Sequence, residues 1–299
     1  MKKIDKYISS LHLIEGKTVI VTGANSGLGF EISKVALIKG ARVIMCCRNL
    51  ERANKAKEQL IKETGKDNIV IELFNQGDLK SVYSFADKIM NEYKDFYALV
   101  LNAGIFIPKE TVDEYNVTNV YRTNFIGPLA LLFKLQKFLE KADSEKRIII
   151  QGSLASFFKK YKKPERYIYG NGDKMSQYAI SKLCCSNMYV YFKNINQNPN
   201  VKYLLCEPGI AATNLFRNYP KWFKNLATFF IRIFTNTAKE GSLSACKLMC
   251  DLAANGDYYR PRSLFSSKGL PKKAFYPQKY VFPAIIDDAI KIIKMYEEQ

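Results

Sequence analysis

Hydrophobic positions along the chain fall into short continuous runs, separated by longer stretches in which apolar residues recur at helical spacing. Residues 17–22 (KTVIVT), 41–46 (ARVIMC), 68–74 (NIVIELF), 97–101 (YALVL), 147–150 (RIII) and 201–206 (VKYLLC) are dominated by apolar, largely β-branched residues. Each predicts a strand buried on both faces. Helical patterns lie between them, over 30–39, from about 50 to 62, over 124–141 and over 177–193. Apolar strands alternating with helices predict a parallel sheet covered on both sides, an α/β doubly wound architecture. No repeat, low-complexity tract or linker interrupts it, so residues 1–299 read as a single domain.

The last third departs from that rhythm. Between 214 and 237 aromatic and basic residues mix without a strand pattern, and 256–283 is rich in Tyr, Phe, Lys and Pro. Ligands of open α/β sheets bind beyond the carboxyl ends of the strands, so an irregular C-terminal segment is expected to cover a substrate there. Within 212–237, Trp222, Leu226, Phe229, Phe230 and Ile233 recur at helical spacing, with Lys221, Lys224 and Arg232 among them. That pattern fits an amphipathic lid able to rest on an anionic membrane surface, and equally a helix packing its stripe on the domain.

Composition narrows the chemistry. With 47% hydrophobic residues in 299, the chain can bury a large core and is neither disordered nor fibrous. Lys and Arg number 46 against 28 Asp and Glu, a net charge of +18. The lysines form no single block and no basic recognition helix accompanies them, so nucleic acid is not the expected partner. The one histidine, His12, would have to serve any Ser-His-Asp triad or histidine metal site, and no metal is expected. The cysteines (Cys46, Cys47, Cys184, Cys185, Cys206, Cys246, Cys250) show no CxxC pair and are odd in number. They read as reduced thiols packed as small hydrophobes in a reducing compartment. Residues 1–17 lack the apolar stretch of a signal peptide, and no run reaches the roughly 18 residues of a membrane span. The nearest candidate, 227–234 (ATFFIRIF), is short and interrupted by Arg232. A cytoplasmic protein, at most peripheral on an intracellular membrane, is expected, and a homo-oligomer is compatible with the sequence.

The first strand leads into Thr22-Gly23-Ala24-Asn25-Ser26-Gly27-Leu28-Gly29 and then a helix. Gly23 permits a tight turn, while Gly27 and Gly29 let backbone approach a pyrophosphate and helix pack on strand. The helix N-terminus would then offer its N–H groups and positive dipole end to phosphate. At the end of the second strand a carboxylate would hold the ribose 2′-hydroxyl of NAD. Here Cys46-Cys47-Arg48 stands instead, and Arg48 can fork onto a 2′-phosphate, which favours NADP(H).

TGANSGLG resembles the cofactor signature of the short-chain dehydrogenase/reductase family, and GKTVIVTGANSGLGFE is especially similar to its retinol-dehydrogenase-like branch. Further matches follow in order: Gly77-Asp78-Leu79, Asn102-Ala103-Gly104, Asn124-Phe125-Ile126-Gly127, Ser153, Tyr178-Ala179-Ile180-Ser181-Lys182, and Pro208-Gly209 with Thr213. Together they cover about residues 15 to 260. The resemblance implies a Rossmann-type fold and a dinucleotide held by Gly23, Asn25, Ser26, Gly27, Leu28, Gly29, Arg48, Asp78, Leu79, Asn102, Ala103, Gly104, Tyr178, Lys182, Pro208, Gly209 and Thr213. It also implies catalysis by Asn124, Ser153, Tyr178 and Lys182.

YxxxK occurs twice, at Tyr178/Lys182 and Tyr189/Lys193, and either pair lies on one helix face. Spacing cannot choose between them. Register does, because Tyr178 opens the helix near the strand ends while Tyr189 lies toward the far side, and the resemblance selects the same pair. A tyrosine, with an ordinary pKa of about 10, needs a nearby ammonium to exchange protons near neutrality. Lys182 would supply it, with Ser153 orienting the substrate oxygen and Asn124 supporting a water chain behind the lysine. Two departures from the family pattern stand out. Gly152 replaces the first serine of a common Ser-Ser pair, and the basic, aromatic stretch 157–169 lengthens the interval between Ser153 and Tyr178. The expected activity is NADP(H)-dependent hydride transfer to or from a small lipophilic carbonyl or alcohol substrate. The alternative is a non-catalytic dinucleotide-binding regulatory protein of the same fold.

Overall fold

The apolar runs are the parallel strands β1 (Thr18–Thr22), β2 (Arg42–Cys47), β3 (Ile69–Leu73), β4 (Ala98–Leu101), β5 (Lys146–Gln151) and β6 (Val201–Cys206) of one sheet. The computed structural model describes residues 3–106, 112–170, 172–209, 236–263 and 267–298. Strand order is β3-β2-β1-β4-β5-β6, continued by β7 (Tyr258–Pro261) and β8 (Pro271–Ala274). Every pairing is parallel except β7 with β8. The order reverses between β1 and β4, which opens a crevice at their carboxyl ends, the usual ligand position of such sheets.

Two apolar layers sandwich the sheet. On one face α1 (Lys3–Ser10), α2 (Gly27–Ile38), α3 (Leu50–Thr64) and α7 (Ala238–Cys250) bury Ile32, Val35, Leu60 and Leu248 against the strands. On the other, α4 (Leu79–Glu92), α5 (Gly127–Glu140), α6 (Lys174–Ile195) and α8 (Ala284–Glu297) bury Val82, Leu131, Leu183 and Ile285. The central strands are therefore apolar on both sides, as the continuous runs require.

Three sequence expectations change. The stretch 256–283 is not irregular throughout: β7 and β8 form an antiparallel hairpin that extends the sheet, because Tyr258 is buried against β6 while Lys272 and Lys273 of the edge strand face solvent. The helical pattern over 124–141 is broken into a π-turn (Arg122–Ile126) and α5. Pro128 has no N–H to donate, and Gly127 lies so close to Gln76 that a Cβ there would come 1.8 Å from its carbonyl oxygen. The helix read over 177–193 begins earlier, at Lys174, where the Asp173 carboxylate caps it by accepting from Ser176 N–H at 2.9 Å. Thr213 and the candidate lid residues Trp222, Leu226, Phe229, Phe230 and Ile233 lie outside the described residues. All seven cysteines are buried free thiols. No described helix is long and apolar enough to cross a membrane.

Candidate active site

The glycine turn follows from β1 and is closed by contacts only glycine permits. Gly23 and Gly27 take left-handed φ values of 68° and 56°. Gly29 packs the first turn of α2 on the strand end: a Cβ there would lie 2.3 Å from Gly23 O and 2.6 Å from Asn102 Nδ2. Ser26 precedes α2 in extended conformation and makes no side-chain capping bond, so its side chain does not take up the first N–H groups of the helix. That geometry suits a phosphate. Asn25, Ser26 and Leu28 stand between the glycines on the same turn.

Beside the turn, β4 ends at Asn102-Ala103-Gly104, fastened to β1 by Thr22. The buried Thr22 Oγ1 accepts from Asn102 N at 3.0 Å and Ala103 N at 2.9 Å, and Asn102 Nδ2 donates to Thr22 O at 2.8 Å. Gln76 donates to Ala103 O at 3.0 Å and Thr123 O at 2.8 Å, joining this strand end to the π-turn.

The π-turn directs Asn124 inward. Its Oδ1 accepts from Ile105 N at 2.8 Å, and its Nδ2 donates to Ile105 O and to Ser181 Oγ, both at 3.0 Å. On α6, Lys182 is buried and donates from Nζ to Gln151 O at 3.1 Å, reaching the end of β5. A Cβ on Gly104 would be 3.2 Å from Asn124 Oδ1 and 3.5 Å from Lys182 Nζ, so both groups converge on one bare backbone position. Tyr178, one turn before Lys182, is half-buried with its ring edge-on to Phe106 at 4.8 Å and 80°. The second pair stands apart: Tyr189 is buried and donates to Gly256 O at 2.6 Å, and Lys193 Nζ sits over its ring at 5.2 Å.

The remaining positions border the same end of the sheet. Ser153 follows β5 and its Oγ accepts from Ala155 N at 3.2 Å, opening the 3₁₀ turn Leu154–Phe157 on which α6 packs. Arg48 is exposed just beyond β2 and makes no hydrogen bond or ion pair with any described residue. Burial pushes the neighbouring Cys47 thiol up to about 11, which keeps it neutral beside the turn. Asp78 is exposed and caps α4 by accepting from Lys80 N at 3.0 Å, with Leu79 buried behind it. After β6, Gly209 has φ 71°, and Asn236 Nδ2 donates to Pro208 O at 2.7 Å.

Sequence reading missed four of these supports: Thr22, Gln76, Gln151 and Asn236. Thr22 carried a signal, since it is a polar residue ending an apolar run, whereas Gln151 acts through its backbone carbonyl and so carried none. Gln76 and Asn236 had none, because their partners are distant in sequence. A fifth residue, Glu207, closes β6 directly before Pro208 and is fully buried. Burial lifts its carboxyl to about 7, although the Tyr258 hydroxyl and the Arg260 guanidinium oppose the shift.

The sequence model of the short chain dehydrogenase family matches residues 17–224. The chain belongs to that family. Its likeness to retinol dehydrogenases places it in the retinol-dehydrogenase-like branch of the short-chain dehydrogenases/reductases: it is 28% identical to mouse retinol dehydrogenase 14 over 260 residues, 82% of this chain and 76% of that protein. It is 28% identical to the WW domain-containing oxidoreductase of Gallus gallus over 82% of this chain and 61% of that one. With human dehydrogenase/reductase SDR family member 13 identity is 30%, over 71% of this chain and 56% of that protein. The chain thus spans less than two thirds of the length of these last two relatives. Among solved structures, a Mycobacterium paratuberculosis protein of uncharacterised function superposes with TM-score 0.70 at 20% identity, covering 95% of this chain and 93% of that one. A Beutenbergia cavernae protein, described as an NAD(P)-dependent gluconate 5-dehydrogenase with bound NADP, superposes with TM-score 0.64 at 21% identity, covering 80% and 91%. Both confirm the doubly wound fold. Members of this family are oxidoreductases that use a nicotinamide dinucleotide and a small substrate.

Proposed function

We propose that the protein is an NADP(H)-dependent carbonyl reductase or alcohol dehydrogenase acting on a lipophilic substrate, with Tyr178 as its general acid and base. The observation that carries this reading is the meeting of Asn124 Oδ1 and Lys182 Nζ over Gly104, with Tyr178 one helical turn away on the face that carries Lys182.

NADPH, when bound, supplies the hydride that the substrate carbon receives. The chain's own residues supply position and the proton. The glycine turn and the N-terminus of α2 take the pyrophosphate, Asp78 and Leu79 border the adenine, and Arg48 takes the 2′-phosphate. Ser153 Oγ orients the substrate oxygen, and Tyr178 Oη passes its proton to that oxygen as the carbonyl carbon is reduced. The Lys182 ammonium stabilises the phenolate left behind, and Asn124, bonded on both sides to Ile105, keeps the lysine's surroundings fixed. In the oxidative direction each proton movement reverses. A lipophilic substrate is favoured because Phe106 stands edge-on against the tyrosine that must meet it.

The test is a panel of ketones, aldehydes and alcohols followed by NADPH or NADH absorbance, alongside direct titration of both cofactors. Reduction of apolar carbonyl compounds with NADPH preferred over NADH is the expected result. Tight cofactor binding with no turnover on any class would overturn the enzymatic reading and leave a dinucleotide-binding regulatory protein. Equal use of NADH would overturn the NADP assignment.

A further inference from the structure

Glu207 is fully buried at the end of β6, and neither of its carboxyl oxygens closes a hydrogen bond with a described residue. Three hydroxyls in the same region share that condition: Tyr258 on β7, Tyr276 after β8, and Ser156 in the 3₁₀ turn that begins at Ser153. Glu207 and Tyr258 lie on one face of the sheet, since Leu205 pairs with Tyr258 and side chains alternate along a strand. The Tyr258 hydroxyl is near enough to the carboxyl to bias its titration, yet stays outside hydrogen-bond geometry. The Tyr258 and Tyr276 rings are 6.4 Å apart, and Tyr276 lies 5.8 Å from Phe157 at the end of the turn.

This cluster touches the turn at two points. A Cβ on Gly152 would lie 3.5 Å from Glu207 Cγ and 3.2 Å from Leu205 Cδ1, so the bare residue before Ser153 is in contact with the Glu207 side chain. Ser156, buried in the cluster, donates its N–H to Ser153 O at 3.0 Å, while Ser153 Oγ is itself held by Ala155 N. The turn that opens at Ser153 therefore rests on a buried polar cluster.

We infer that Glu207 is a positioning residue for the Ser153 turn, holding it as a neutral acid within the buried cluster of Tyr258, Tyr276 and Ser156. This rests on the proposed role of Ser153 toward the substrate oxygen. A neutral carboxyl offers one O–H donor to hydroxyls that can rotate to receive it, whereas a carboxylate there must be hydrated or paired. Among the described residues, the titratable and charged groups facing it are these. Tyr258 and Arg260 on β7 act on it directly, with Arg260 the cation that favours its ionised form. Tyr276 faces it across the cluster, Cys206 precedes it, and α6 contributes Ser186 and Cys184 toward Tyr276. Ionisation would draw water or Arg260 into the cluster and loosen the turn that carries Ser153.

The test compares wild type with Glu207→Gln, which keeps the shape and cannot ionise, and with Tyr276→Phe, which removes one hydroxyl of the cluster. Amide exchange of residues 153–158, corrected for intrinsic rates, is measured from about pH 6 to about pH 8.5, a range that brackets the carboxyl's ionisation. Wild type should exchange several-fold faster at the alkaline end. Glu207→Gln should show no such rise, and Tyr276→Phe should shift its midpoint. In parallel, kcat normalised to each protein's own value at about pH 6 should fall with an inflection near neutrality in wild type. Glu207→Gln should lack that inflection, with NADPH affinity following the same pH course in both proteins. If Glu207→Gln keeps the wild-type rise in exchange and the same kcat inflection, the inference is wrong. A wild type that reduces no carbonyl compound overturns the enzymatic reading instead, and the exchange measurement still decides the role of Glu207.

Discussion

Asn124 Nδ2 donates to Ser181 Oγ at 3.0 Å across 57 positions of sequence, so one buried amide ties the π-turn to the helix that carries Tyr178 and Lys182. The same side chain bonds Ile105 through both its oxygen and its nitrogen. It therefore sets the spacing of three chain segments around Gly104. Replacing it by alanine leaves the Ile105 amide without that acceptor in a partly buried site. Asn124→Ala is expected to cost about 1–3 kcal/mol in denaturant unfolding and to lower kcat. A variant with unchanged stability and full turnover would show that the bridge is dispensable.

Tyr178→Phe should reduce turnover by roughly 10²–10⁴ while NADPH titration stays near normal, as expected for loss of a general acid. Tyr189→Phe is the matched control. It loses only the bond to Gly256 O, so it should cost about 1 kcal/mol of stability and little activity. Equal losses of turnover in the two variants would refute the assignment of Tyr178.

Gly29→Ala tests the phosphate turn. The added methyl would meet Gly23 O at 2.3 Å and Asn102 Nδ2 at 2.6 Å, and both belong to fixed backbone or to a side chain held at 2.8 Å on Thr22 O. Overpacking of this kind typically costs about 1–3 kcal/mol. The thermal midpoint should fall and dinucleotide affinity should drop with it, as read by calorimetry.

Arg48→Asp reverses the charge at an exposed site that has no partner among the described residues, so folding should be unaffected. Loss of a charge-assisted contact to a 2′-phosphate, worth about 1.5–3 kcal/mol, would weaken NADPH binding roughly 10- to 100-fold. NADH affinity should stay the same or rise. Parallel titration of the two cofactors reads the difference, and an unchanged ratio would remove Arg48 from cofactor selection.

The buried Glu207 carboxyl also makes stability depend on pH. Its native value of about 7 lies above the ordinary 4.5, so between those values the native state holds more protons than the unfolded chain. Stability from this group is complete at acid pH and is lost as pH rises through about 7, by roughly 3 kcal/mol in all. Urea unfolding at about pH 5 and about pH 8 should show wild type losing more stability than Glu207→Gln by that order. A Glu207→Gln protein with the wild-type pH slope would place the carboxyl's titration elsewhere.

The parallel core of the fold could be read from residues 17–206 because a strand buried on both faces must be apolar continuously, and a helix covering it must be apolar on one side. That signal is local. The glycine turn was legible for the same reason: Gly23 and Gly27 occupy left-handed backbone that other residues resist, and Gly29 leaves no room for a Cβ. The β7–β8 hairpin was not legible, since an edge strand such as PKKA is half-exposed and carries no apolar run. Nor could spacing alone separate Tyr178/Lys182 from Tyr189/Lys193, which have the same i, i+4 geometry on one helix. Tertiary packing separates them, by closing Asn124 and Lys182 over Gly104 and by sealing Tyr189 against Gly256. Glu207 marks the same limit: sequence puts a carboxylate before Pro208, but only the packing of β7 and Tyr276 around it buries it and so disfavours its charged form.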